Sequence, residues 1–230
     1  MKKISVSRIL EESYLKKIFN QDQGTINYTI VDLGGERNHY NILFKTYFKH
    51  VLTYNLSSRM PDQVVDLTKD FYHQLSADKP DYIISVNTIE HLADDSYLFE
   101  SCLKYANNYP VIIQIICPFM HKIHAAPHDF RRYTNYGLEK KIKDHLQNLP
   151  QGKNNIYLKI TPIGGSMYTL MSSMFHQKSR ILGTIMSLIL NLMENIENVI
   201  KLLLKKTSSI NKPNASYALG YVIEINSCLK

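Results

Sequence analysis

Asn27-Tyr28-Thr29-Ile30-Val31-Asp32-Leu33-Gly34-Gly35-Glu36-Arg37 is the stretch whose reading decides the fold. Tyr28 to Leu33 are mostly β-formers and read as a buried strand. Two glycines end it, and from Glu36 onward Tyr40, Leu43, Phe44, Tyr47 and Phe48 repeat at helical spacing. A strand that turns through glycine into a helix brings bare backbone and a helix N-terminus to one point, as α/β folds do for nucleotide-like ligands. His50 to Leu56 reads as the next strand. It carries Asn55 about 20 residues beyond Asp32, where such a unit places the polar group that meets a ribose hydroxyl. Asp32, inside an apolar strand, needs donors or a ligand. A nucleotide-type cofactor is the expectation.

Outward from this unit the pattern repeats. Residues 1–22 predict an N-terminal helix with Ile4, Ile9, Leu10, Tyr14, Leu15, Ile18 and Phe19 on its apolar side, packed over the sheet. Val64-Val65-Asp66-Leu67 is a short strand signal. Pro80 to Asn87 is the clearest central strand, a nearly continuous apolar run after a proline. Asp94 or Asp95 then caps a helix through Leu98, Phe99, Leu103 and Tyr105. Pro110 to Cys117 predicts another buried strand, Asn135 to Gln147 a helix, and Tyr157 to Thr161 and Tyr217 to Ile225 the last two strands. Alternating strands and helices specify a mainly parallel α/β sheet with helices on both faces. One domain over residues 1–230 is expected.

Residues 167–210 predict a long amphipathic helical insert before the last strand. Ile185, Leu188, Leu192, Ile196 and Val199 lie on one side, and Ser187, Asn191, Glu194 and Asn198 on the other. Its polar residues recur too often for a bilayer span. The apolar face of 172–206 must be covered by the domain, by a second copy in a homodimer, or by a peripheral membrane contact with Lys201, Lys205 and Lys206 near lipid phosphates.

Bulk properties narrow the classes. Hydrophobic residues make up 44% and charged residues 20%, as in an ordinary globular protein. The net charge of +7 favours anionic partners weakly, and with no basic stripe or recognised module no nucleic acid is expected. The three cysteines are scattered with no CxxC pair, which reads as reduced thiols. No apolar run follows Met1-Lys2-Lys3 before Glu11 and Glu12, so a secretory signal is not expected. The expected location is cytoplasmic, with a peripheral position on the inner face of the membrane as the variant the insert allows.

These residues resemble a class I S-adenosylmethionine-dependent methyltransferase of the type-11 kind, and the resemblance covers nearly the whole chain. Val31 to Gly35 resembles the glycine-rich first motif. Asn55 stands at the ribose-contacting acidic position, and Asp66-Leu67 resembles the adenine flank. Asp81 to Leu92, ending Asn-Thr-Ile-Glu-His-Leu, resembles the fourth strand and its loop. Pro118-Phe119-Met120-His121-Lys122-Ile123-His124-Ala125-Ala126-Pro127-His128-Asp129-Phe130-Arg131-Arg132-Tyr133-Thr134, with Leu219-Gly220-Tyr221, resembles a subgroup found among bacterial surface-polysaccharide genes. The resemblance implies a Rossmann-like methyltransferase fold with a seven-stranded sheet and S-adenosyl-L-methionine as cofactor. It implies cofactor contacts from Asp32, Gly34, Gly35, Glu36, Asn55, Asp66, Leu67, Asn87, Thr88 and Ile89. The implied acceptor is a small molecule, glycan or glycolipid precursor, O-methylated by default. Three departures stand out: Glu36 and Asn38 replace glycines, and Asn55 replaces Asp or Glu. They motivate the alternative of a non-catalytic methyltransferase-like binding module.

A hydroxyl acceptor needs a base near the ends of the fourth and fifth strands. The candidates are His124, Asp129, His91 and His128; imidazole titrates near neutrality. For Asp129 two readings stay open, catalysis or a latch with Arg132. His128, Arg131, Arg132 and Tyr133 are candidates for acceptor binding, the arginines for a phosphate or carboxylate. No metal is expected, the alternative left open being zinc on the three imidazoles of this loop. His121, His124 and His128 have helix-like spacing, but Pro127 interrupts it and no nearby Cys or Glu completes a ligand set.

Overall fold

A computed structural model describes residues 6–21, 27–35, 39–56, 62–150, 152, 154–165, 169, 188–189, 192 and 217–229. Elements run α1 (Val6–Gln21), β1 (Thr29–Leu33), α2 (His39–Tyr47), β2 (His50–Asn55), β3 (Gln63–Val64), α3 (Tyr72–Asp78) and β4 (Tyr82–Val86). A 3-10 turn (Ile89–His91), α4 (Ser96–Asn108), β5 (Val111–Pro118), α5 (Asn135–Gln147), β6 (Asn154–Ile163) and β7 (Gly220–Leu229) follow. The expected insert over 167–210 lies outside the described residues, apart from Thr169, Leu188, Ile189 and Leu192. Glu36 and Asn38 lie outside them too.

The seven strands form one sheet in the order β3-β2-β1-β4-β5-β7-β6. β1 to β5 pair in parallel, and β7 runs antiparallel to both β5 and β6. The period-two alternation of strand side chains divides the core between two faces. Val31, Leu33, Ile83, Ile113 and Ile115 face α4 and α5, with Leu98, Phe99, Leu103, Leu138 and Ile142. Ile30, Tyr82, Ile84 and Ile116 face α1 and α2, with Leu15, Phe19, Phe44 and Phe48. This two-sided cover is why β4 and β5 read as continuous apolar runs. Phe19 meets Phe44, Phe48 and Tyr82 edge-on, with ring centroids 5.0–6.1 Å apart, and so seats α1 on the sheet.

The chain works outward from β1 through β2 to β3, then returns to place β4 on the other side of β1. That reversal opens a crevice beyond the carboxyl ends of β1 and β4, where α/β sheets bind ligands. Two details differ from expectation. β3 covers only Gln63–Val64, so Asp66 and Leu67 sit in the turn after it. Asp95 occupies the N-cap of α4 without bonding there; Asp94 accepts from the Ser96 N–H instead, at 2.9 Å. Among the described residues no helix is long and apolar enough to cross a membrane.

Candidate active site

The crevice is framed by backbone. Gly34 adopts φ +78°, and a Cβ there would lie 2.3 Å from Thr88 Cγ2. Only glycine combines that dihedral with that clearance. A Cβ on Gly35 would lie 2.1 Å from Asp32 Oδ2. Thr88 and Ser85 each donate to the Leu33 carbonyl at 3.1 Å, which ties the end of β1 to that of β4. The Asn55 amide donates to the Gly34 and Gly35 carbonyls at 3.3 and 3.1 Å. Asn55 therefore pins the glycine turn in a way no carboxylate can.

Two cavities open from this crevice and share Gly34, Asn87 and His91. The first, of about 360 Å³, lies beyond β4 and β5; Arg8, Glu11, Tyr40, Pro118, His121 and His124 help to line it. The second, of about 440 Å³, lies across β1 and β2; Asn55, Asp66, Leu67, Thr88, His128 and Phe130 help to line it. Both fall in the range of small-molecule sites, roughly 300–1,000 Å³.

Of the expected cofactor residues, Gly34, Asn55, Asp66, Leu67, Asn87 and Thr88 gather at these walls. Asp66 accepts from the Thr68 N–H and hydroxyl at 3.0 and 2.6 Å, and its carboxyl is held below the usual range by those bonds. Ile89 is buried beneath the turn. Asp32 is 3% exposed, and burial alone pushes its pKa up to about 7.

Two acidic residues of the site escaped the sequence reading. Glu11, on α1, accepts from Asn87 Nδ2 at 3.1 Å and from the Tyr40 hydroxyl. Burial is the largest effect on its carboxyl and raises the pKa. Its signal is positional, since Glu11 precedes Leu15 and Phe19 at i−4 and i−8 on the helical stripe that becomes the buried face. Asn87 meets it from the end of β4 with φ +53°, an uncommon dihedral for a side-chain-bearing residue and one concentrated at functional sites. Glu90 is the second. It is 1% exposed, and its Oε1 lies 3.6 Å from both His91 Nε2 and His124 Nε2.

The histidine loop folds back over this turn. Phe130 N–H donates to the Glu90 carbonyl at 2.8 Å, and His91 Nδ1 meets the His128 carbonyl. Asp129 accepts from the His124 N–H at 2.8 Å and grips Arg132 through both oxygens, so its carboxyl is held far below the usual range, chiefly by that guanidinium. This is the arrangement the latch reading requires. Arg131 pairs with Asp95 and donates to the Ala93 carbonyl, while the Tyr133 hydroxyl donates to Asp95 at 2.8 Å. Asp95 is fully buried and also holds Lys141 at 2.9 Å. Arg131, Arg132 and Tyr133 are thus directed at protein carboxylates, and neither cavity wall includes them; His128 lines the second cavity rather than the first. His91 and His124 stand together, ring centroids 4.8 Å apart, with His121 beside His124.

The fold is that of solved S-adenosylmethionine-dependent methyltransferases. A methyltransferase from Archaeoglobus fulgidus matches at 14% identity over 96% of this chain and 94% of its own, with a TM-score of 0.53. A structure of the Haloferax volcanii Trm112 methyltransferase activator in complex with a methyltransferase matches at 10% identity over 94% and 89%, with a TM-score of 0.50. At these identities the likeness concerns architecture alone. No family model matches the chain, and no curated protein matches it.

Proposed function

We propose that this chain, built on the class I methyltransferase fold, transfers a methyl group from S-adenosyl-L-methionine to a hydroxyl. The observation that carries the reading is the pair of cavities meeting at Gly34, Asn87 and His91, one bordered by Asn55, Asp66 and Leu67 and the other by histidines. The bare backbone of Gly34 fits a ligand that must approach the chain closely.

When bound, the cofactor supplies an electrophilic methyl group on a sulfonium. Gly34, Asn55, Asp66, Leu67 and Thr88 would hold its adenosine part. Asn87 offers a polar group where the two cavities join, Glu11 offers one in the first cavity, and Asp32 lies buried at the end of β1. His124 and His91 are the groups for the acceptor proton: each has its Nδ1 against an acceptor, so each carries its lone pair on Nε2. Asp129 and Arg132 hold the loop that positions His124.

A glycan or glycolipid precursor is our reading of the acceptor. It is supported by the resemblance of Pro118–Thr134 to the surface-polysaccharide subgroup. Transfer of tritium from labelled cofactor into an envelope or sugar-nucleotide extract tests it, and label appearing only in protein or nucleic acid contradicts it. The competing reading, a binding module without turnover, is favoured by one feature: the Asn55 amide is occupied by the glycine turn. Calorimetric titration with S-adenosylmethionine separates the two.

A further inference from the structure

Glu90, His91 and His124 present one ligand atom each, all within 4.8 Å of one another. The histidine loop itself offers no Cys or Glu to complete a ligand set. The fold supplies a Glu from elsewhere, the turn after β4. Glu90 is 1% exposed, and neither of its carboxylate oxygens has a hydrogen-bond partner. A carboxylate buried in this way is costly unless something positive or protic meets it.

The histidines show what kind of partner is called for. His91 Nδ1 is against the His128 carbonyl. His124 Nδ1 is 3.3 Å from Asp129 Oδ2 and 3.4 Å from the Lys122 carbonyl. An acceptor at Nδ1 places the ring proton there and leaves the Nε2 lone pair directed elsewhere. Metal-binding histidines are oriented by this same pattern of outer partners. Both Nε2 atoms lie 3.6 Å from one oxygen, Glu90 Oε1. That is too long for a hydrogen bond and close to the roughly 3.3–3.4 Å between neighbouring ligands of a tetrahedral ion with bonds of about 2.0–2.1 Å.

We propose that Glu90, His91 and His124 bind a divalent transition cation of the zinc class, at the wall of the first cavity. Two imidazoles and one carboxylate are a catalytic ligand set, because three protein ligands leave a coordination position open. His91 and His124 both line the first cavity, so the open side is available to an oxygen of an acceptor. The binding proposal stands on this cluster alone, whether or not the chain transfers methyl groups. For the proposed reaction it reassigns His124 from free base to ligand.

The test uses the untagged full chain, stripped with chelator and dialysed. Zn²⁺ is titrated calorimetrically, and Co²⁺ is titrated as a coloured reporter of coordination geometry. One equivalent binding with a dissociation constant in the micromolar range or below is expected. Glu90→Gln and His124→Gln should each weaken it by at least about tenfold, and His73→Ala, on the exposed side of α3, should leave it unchanged. Should Glu90→Gln fail to fold by circular dichroism, His124→Gln at its half-exposed position gives the same reading. No binding at about 1 mM Zn²⁺, an energy near −4 kcal/mol, or binding indifferent to both substitutions overturns the proposal. Tight Zn²⁺ binding in a chain that binds no S-adenosylmethionine would keep the site and remove the methyltransferase reading.

Discussion

Asn55 donates its side-chain amide to the carbonyl of Gly35 at 3.1 Å, binding the end of β2 to the turn that follows β1. Methyltransferases of the type this chain resembles carry an acid at that position, so restoring one looks conservative. Here it would set a carboxylate against two carbonyl oxygens. Asn55→Asp should lower stability by roughly 1–3 kcal/mol and weaken S-adenosylmethionine binding. Thermal melts and calorimetry check this; tighter binding by the Asp variant would contradict it.

Gly34→Ala should act on both fold and ligand. The new Cβ meets Thr88 at 2.3 Å, at a dihedral that costs a side-chain-bearing residue of order 1–3 kcal/mol. We expect a lower melting temperature, a folded circular-dichroism spectrum and loss of cofactor binding. Undiminished affinity would place the cofactor elsewhere.

Asp32 predicts a pH dependence. Its folded-state pKa is raised to about 7 by burial, against about 3.9 unfolded. The folded state therefore binds the proton more tightly. The contribution to stability is fully present below about pH 4 and is lost as pH rises through 7. Asp32→Asn should flatten this fall, and the wild type should lose stability relative to the variant between pH 4 and 7. Denaturant midpoints across that range measure it; parallel curves would show that Asp32 titrates normally.

His124→Ala should retain S-adenosylmethionine affinity, because His124 lines only the first cavity, and lose turnover of the acceptor. Unchanged turnover would remove His124 from the chemistry.

Strands β1, β4 and β5 were legible because burial on both faces writes β4 and β5 as apolar runs and β1 as a run ended by glycine. Asn135–Gln147 was legible as α5 for the complementary reason: Leu138 and Ile142 recur on one side, and Thr134 caps the start. α3 was not, since Leu75 is the one buried residue in its seven. At the site, sequence shows charges but not their partners. Arg131 and Arg132 look available for a ligand until Asp95 and Asp129 fold against them. Glu11 is separated from Asn87 by 76 positions, and nothing local distinguishes it from a solvated helix acid except its place on the buried stripe. Glu90 was visible beside His91, yet only the return of the histidine loop gives it His124.

The proposed function requires that the second cavity hold an adenosyl group. The most direct measurement is calorimetric titration of the full chain with S-adenosylmethionine and with its demethylated product. One site is expected for each ligand, lost in Gly34→Ala and weakened in Asn55→Asp. The absence of heat and of any thermal shift at about 1 mM ligand, a free energy weaker than about −4 kcal/mol, would contradict it.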